Sequence, residues 1–380
     1  MNKVIILSVM LGFLFTSTSS TILAQSDKNK AYEHFNAAIG HFKAKDFQSA
    51  IDAYSEAIKV DPNYTKAYYN RGNAKMNLKD YKGSIRDFKK VIEIDPSFAK
   101  AHLYQGYAEM QMKDYEKAIK SYSLALKKDG SLHQAYTNRG TAYLKTKNFK
   151  KAIADLDVAL EANPESATGY YNRGICKMRI EDYPDAINDF SMALDIKPSM
   201  VGAYSVRGKA LLKIDRFNEA IADFNAAIKK RPEHGDFYYY RGFAKLSLDN
   251  YMGAHKDFTT SLELNPGHTN SLINRAITGF QLGKHDDAIK DYSKLIDLKP
   301  DNANYSLNRG IAFLKLEDYK RAVSDFNSAI KKKKDFAQAY FNRSNAYTKL
   351  DLFDKACKDM RSAAELGYDK AYDHIRDLCN

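Results

Sequence analysis

Eight arginines stand in step along this chain, at Arg71, Arg139, Arg173, Arg207, Arg241, Arg275, Arg309 and Arg343, spaced by 34 residues with one gap. A row of guanidinium groups could bind anions, because each planar fork grips a carboxylate or phosphate through two parallel N–H bonds. The chain carries its own carboxylates for them. Sixteen residues after each arginine comes an aspartate: Asp87, Asp155, Asp189, Asp223, Asp257, Asp291, Asp325 and Asp359. Where the arginine lapses, at Ala37 and Gln105, the aspartate lapses too, to Ala53 and Ser121. If each aspartate served the next arginine along, Arg71 would face Ala53. The expected pairing is therefore Arg71 with Asp87, and so on down the chain. Such an internal bridge fixes register rather than binding an external anion.

Asparagine stands immediately before most of these arginines, at Asn70, Asn138, Asn172, Asn274, Asn308 and Asn342, with Asn36 before Ala37. A carboxamide both donates and accepts, so a row of them could hold a polypeptide backbone with little regard for its side chains. The row lapses at Tyr104, Val206 and Tyr240. Large apolar residues flank it: Phe35, Tyr69, Tyr171, Tyr239 and Phe341 on one side, Ile175, Phe243, Ile277 and Ile311 on the other.

Other chemistry is sparse. The nine histidines show no metal-ligand spacing; His34 and His41 could share a helix face but lack a third ligand. No Gly-rich phosphate loop and no His-Glu-x-x-His segment occurs. No catalytic residue, metal or cofactor is expected, and the chain is read as no enzyme. Cys357 and Cys379 each lie eleven residues from Tyr368, in an expected turn at Gly367-Tyr368. In an antiparallel helix pair that spacing puts both at one height, and an oxidising compartment would favour a disulfide. Cys176 reads as a small buried residue.

The elements that must position these groups follow from the 34-residue interval. Residues 167–200 form one unit, with Tyr170, Gly174, Ala186, Phe190, Ala193 and Pro198 as markers. The same places one unit later hold Tyr204, Gly208, Ala220, Phe224, Ala227 and Pro232. One unit earlier they hold Tyr136, Gly140, Ala152, Leu156, Ala159 and Pro164. Each unit reads as two helices, over about the first fourteen places and places seventeen to thirty. Asp46, Asp80, Asp114, Asn148, Asp182, Asn250 and Asp318 fall at place sixteen, where they can cap the second helix. Seven of the eight prolines fall at place thirty-two, between units, and Pro184 falls in the first turn of a second helix.

This pattern resembles the tetratricopeptide repeat. The resemblance implies an all-α, right-handed superhelical solenoid of ten 34-residue helix–turn–helix repeats: 31–64, 65–98, 99–132, 133–166, 167–200, 201–234, 235–268, 269–302, 303–336 and 337–370. A short C-terminal capping helix at 371–380 would close it, with no linker and no second domain. In proteins it resembles, the place of the asparagines faces the hollow side, and asparagine ladders there hold extended peptides. The expected peptide-binding residues are therefore Asn70, Asn138, Asn172, Asn274, Asn308 and Asn342 with Tyr69, Tyr171, Tyr239 and Phe341. Some members grip a C-terminal carboxylate with lysine at place five. No place five is Lys here, so that clamp is not expected. The resemblance implies a protein-interaction scaffold with a protein or peptide partner. Alternatives are a nucleic-acid-binding helical repeat, or a non-catalytic targeting subunit of an enzyme or assembly complex.

The net charge of +12, from 59 basic and 47 acidic residues, reads as a solvated helical surface rather than a nucleic-acid interface. Residues 1–24 differ from the rest. Lys3 precedes a mostly apolar run at 4–15, then Ser and Thr alone at 16–21, then Ala24. This is the order of a secretory signal peptide. Export to a periplasmic or extracellular location is expected, with no membrane span once the signal is removed. No Cys there offers a lipid anchor.

Overall fold

The computed structural model describes residues 25–379. The signal-peptide expectation falls on residues 1–24, outside the described residues. Among the described residues the chain forms helices and no strand. A helix at 25–43 pairs with Phe47–Val60. Nine more hairpins follow at the 34-residue interval, from Thr65–Asn77 with Tyr81–Ile94 to Ala337–Thr348 with Phe353–Glu365. The chain is thus an all-α solenoid of helix–turn–helix repeats. The hairpins fall into two compact units, one ending at Ile196 and the other starting at Lys197. Within each unit every helix packs on the next, and the first helices of adjacent repeats also touch one another.

One turn design joins the two helices of a repeat. In repeat two, Lys79 adopts a left-handed φ of 62°. Its N–H donates to Met76 O (3.0 Å) and the Asp80 N–H donates to Lys75 O (2.9 Å). This closure satisfies carbonyls left open at the end of Thr65–Asn77. Asp80 then caps the second helix, its Oδ1 accepting from Gly83 N–H at 2.9 Å. The fifteenth place is left-handed in every repeat, yet it is Gly only at Gly283; elsewhere it is Lys, Glu or Asp. Of the expected caps, Asp46, Asp80, Asp182, Asn250 and Asp318 accept from the backbone. Asp114 instead pairs with Lys117, and Asn148 donates to Thr146 Oγ1 (3.0 Å).

Packing explains the small residues. Phe190 is fully buried, with Ala186 and Ala193 on its own helix. Its ring lies against Gly174 so closely that a Cβ there would sit 2.7 Å from Cε1. Burying such a ring stabilises the fold by about 2–3 kcal/mol.

The capping helix starts two residues earlier than expected, as Asp369–Leu378. Gly367, at φ +80°, ends Phe353–Glu365, with Gly367 N–H on Ala364 O and Tyr368 N–H on Ala363 O. That closure frees Asp369 to begin the next helix. Cys357 and Cys379 are bonded through sulfur, with Cα atoms 5.2 Å apart. Among the described residues no helix is long and apolar enough to cross a membrane.

Candidate functional site

The arginine row is internal. In all eight repeats the Nε donates to one oxygen of the aspartate sixteen residues on and Nη2 to the other, at 2.6–3.0 Å. The aspartates are buried. Burial pushes the Asp223 and Asp291 carboxyls above the usual range, against the opposing pull of Arg207 and Arg275. A third bond went unread in the sequence. Nη1 of Arg71, Arg139, Arg173, Arg241, Arg309 and Arg343 donates to Ser55, Ser123, Asp157, Asn225, Ser293 and Asn327, each in the preceding repeat. Each of these guanidinium groups ties three helices together. The signal was present: the matching place is Lys89, a donor, just before the repeat that has Gln105 in place of arginine. In that repeat Gln105 and Ser121 both donate to buried Glu109, at 2.9 and 2.7 Å. Glu109 replaces the missing carboxylate from the first helix.

The asparagines do not share one environment. Asn172 Nδ2 donates to Thr141 Oγ1 in the preceding repeat (3.2 Å), and Asn342 Nδ2 donates to Gln338 O (2.7 Å). Asn70, Asn274 and Asn308 lie against the hydroxyls of Tyr54, Tyr239 and Tyr292. Asn138 Nδ2 is buried without a partner, as is the Tyr122 hydroxyl. The aromatic residues are half-buried. Tyr69 packs on Phe88, Phe98 and Tyr104, and burial pushes its hydroxyl up to about 12. Tyr239 packs on Phe258 and His268, and Phe341 on Tyr368 and His374 of the C-terminal segment.

Repeats four and five bring the predicted groups together. Tyr171, Asn172 and Ile175 line a cavity of about 650 Å³ with Leu144 and Phe149. Lys145, Lys147 and Arg179 complete its lining, which contains no carboxylate. Lys147 is there because the left-handed turn carries it, with φ 62°. Asn172 gives its N–H to Thr141 and so keeps an amide oxygen able to accept.

Stacked helical hairpins tied by arginine forks define a helical-repeat protein. Models described as tetratricopeptide repeat match residues 65–98, 137–201, 206–244 and 307–369, and one described as TPR repeat matches 41–79 and 279–317. The chain belongs to the tetratricopeptide repeat family. Among solved structures, the C-terminal part of a TPR repeat-containing protein from Cytophaga hutchinsonii is similar at 18% identity and a TM-score of 0.54, over 63% of this chain and 98% of that one. A tetratricopeptide repeat protein from Parabacteroides merdae is similar at 20% identity and a TM-score of 0.45, over 65% and 99%. YrrB, described as a TPR protein with an unusual peptide-binding site, is similar at 24% identity and a TM-score of 0.46, over 49% and 95%. No curated protein is a significant match. The family fold is generally a non-catalytic scaffold for protein interaction, and its partners are proteins or peptides.

Proposed function

We propose that this chain is an exported scaffold that captures an extended segment of a partner protein along its first helices. One bulky apolar residue of that segment anchors in the cavity of repeats four and five. The observation that supports this reading is the cavity's lining. Leu144, Phe149, Tyr171 and Ile175 offer an apolar floor, and Asn172 an acceptor for a backbone N–H. Lys145, Lys147 and Arg179 favour acidic residues beside the anchor. The expected ligand is an apolar side chain flanked by Asp or Glu.

Selection of random twelve-residue peptides on the full chain tests this. Enriched peptides should carry one large apolar residue with acidic neighbours. Ile175→Asp should weaken them about tenfold or more, the loss of one anchor of at least about 1.4 kcal/mol. Asn172→Ala should weaken them less. Peptides that bind Ile175→Asp and wild type alike would place the site elsewhere. Failure to enrich any peptide would remove the reading.

A further inference from the structure

The junction of repeats seven and eight departs from the pattern of the others. The twenty-first place of a repeat is Ile or Val in eight of ten repeats, but repeat seven has His255. The tenth place is Ala in seven of ten, but repeat eight has Thr278. His255 is 9% exposed, and its Nδ1 lies 3.3 Å from Thr278 Oγ1. The Thr278 hydroxyl has carbonyls of its own to donate to, Asn274 O at 2.9 Å and Arg275 O at 3.0 Å. It therefore accepts from His255 Nδ1–H, which leaves Nε2 as the ring's acceptor. Gly279 keeps the space beside the ring open; a Cβ there would lie 3.7 Å from Cε1.

Two cations depart from the pattern as well. Lys284 occupies the N-cap of His285–Leu298 without a capping bond, where a positive charge opposes the helix dipole. Arg275 holds Asp291 through Nε and Nη2, but its Nη1 makes no bond of the kind that six other arginines make to the preceding repeat. These groups surround a cavity of about 660 Å³ against Tyr251–Leu264. Four cations and two carboxylates, Glu263 and Asp287, line it. Lys290 pairs with Asp287 at 3.6 Å and Arg275 with Asp291, which leaves Lys256 and Lys284 without a countercharge of their own among the described residues. Met252, 73% exposed, adds an apolar edge.

We propose that this cavity binds a phosphate monoester carrying a small apolar group. The cations and the Nη1 donor suit a dianion, which can take several bonds at once. Met252 suits the apolar part. A histidine where other repeats pack Ile weakens the junction, and such local departures from a repeat's own rules mark functional sites. This site lies apart from the cavity of repeats four and five and does not depend on it.

Calorimetric titration of the full chain with phenyl phosphate at low salt tests the proposal. One saturable site per chain is expected, with inorganic phosphate weaker and phenol silent. Lys256→Glu with Lys284→Glu should lower affinity about tenfold or more without changing the helical circular dichroism signal. His255→Ile, which restores the usual residue, should raise the melting temperature. A phosphotyrosine pentapeptide titrated in parallel separates a modified side chain from a free ester as the natural source. Absence of saturable binding, or binding that the Lys256→Glu and Lys284→Glu pair leaves unchanged, would overturn the proposal.

Discussion

Replacing Arg139 by Met should destabilise this protein more than the same change at Arg71. Arg139 holds Asp155 by two bonds of 2.7–2.8 Å, and Asp155 is only 6% exposed. The eleventh place of that repeat is Tyr143, so no lysine from it takes over the carboxylate. In repeat two, Lys75 Nζ lies 2.7 Å from Asp87 and stays there when Arg71 is removed. Leaving a buried carboxylate unpaired costs about 3–5 kcal/mol. Losing charged hydrogen bonds while a countercharge remains costs about 1.5–3 kcal/mol. Arg139→Met with Asp155→Leu removes both charges and should recover most of the loss, because an apolar pair of similar volume often matches a buried ion pair. Urea unfolding followed by circular dichroism gives the global effect. Repeats couple mainly to their neighbours, so the transition need not be two-state. Amide exchange in His133–Lys145 and Phe149–Ala162 therefore supplies the local readout. Equal losses at Arg71 and Arg139, or a double variant no better than Arg139→Met, would refute the reasoning.

Four further outcomes follow from the packing and the turns. Gly174→Ala forces a Cβ to 2.7 Å from Phe190 and should lower the melting temperature, whereas Gly40→Ala, with nothing within 4 Å, should raise stability by about 0.8–1 kcal/mol. Lys79→Gly relieves a left-handed residue and should stabilise by up to about 1 kcal/mol in urea titration, after the entropy lost by glycine. Burial holds His255 and His102 below their ordinary value of 6.5, so the unfolded chain takes up protons first as pH falls. Stability should drop on acidification below about 6.5, and His255→Ile should flatten that slope in melts taken across the range. Reducing Cys357–Cys379, which spans 22 residues, should cost about 3 kcal/mol and speed amide exchange in Asp369–Leu378.

Much of the fold was legible because a helical hairpin repeats its chemistry with its geometry. Gly174 and Phe190 recur together since the ring needs the space that a Cβ would fill. Arg71 and Asp87 could be paired from matched lapses at Ala37 with Ala53 and Gln105 with Ser121. The left-handed turn was not legible, because Lys, Glu and Asp occupy it and only Gly283 signals it. There the two closing bonds of the turn, as at Lys79 and Asp80, override the residue's own preference.

Sequence by itself determined the period, the helix ends near the prolines and the partner of each arginine, since all of these are local or repeat at a fixed interval. Tertiary structure alone decided the surroundings of each asparagine. Asn138 has its Nδ2 buried without a partner and Asn342 bonds its own helix, while Asn172 lines a cavity. All three occupy the same place of the repeat, and they differ in what neighbouring helices bring against them. A side chain's access to a partner depends on the space left between packed elements, which no single repeat encodes.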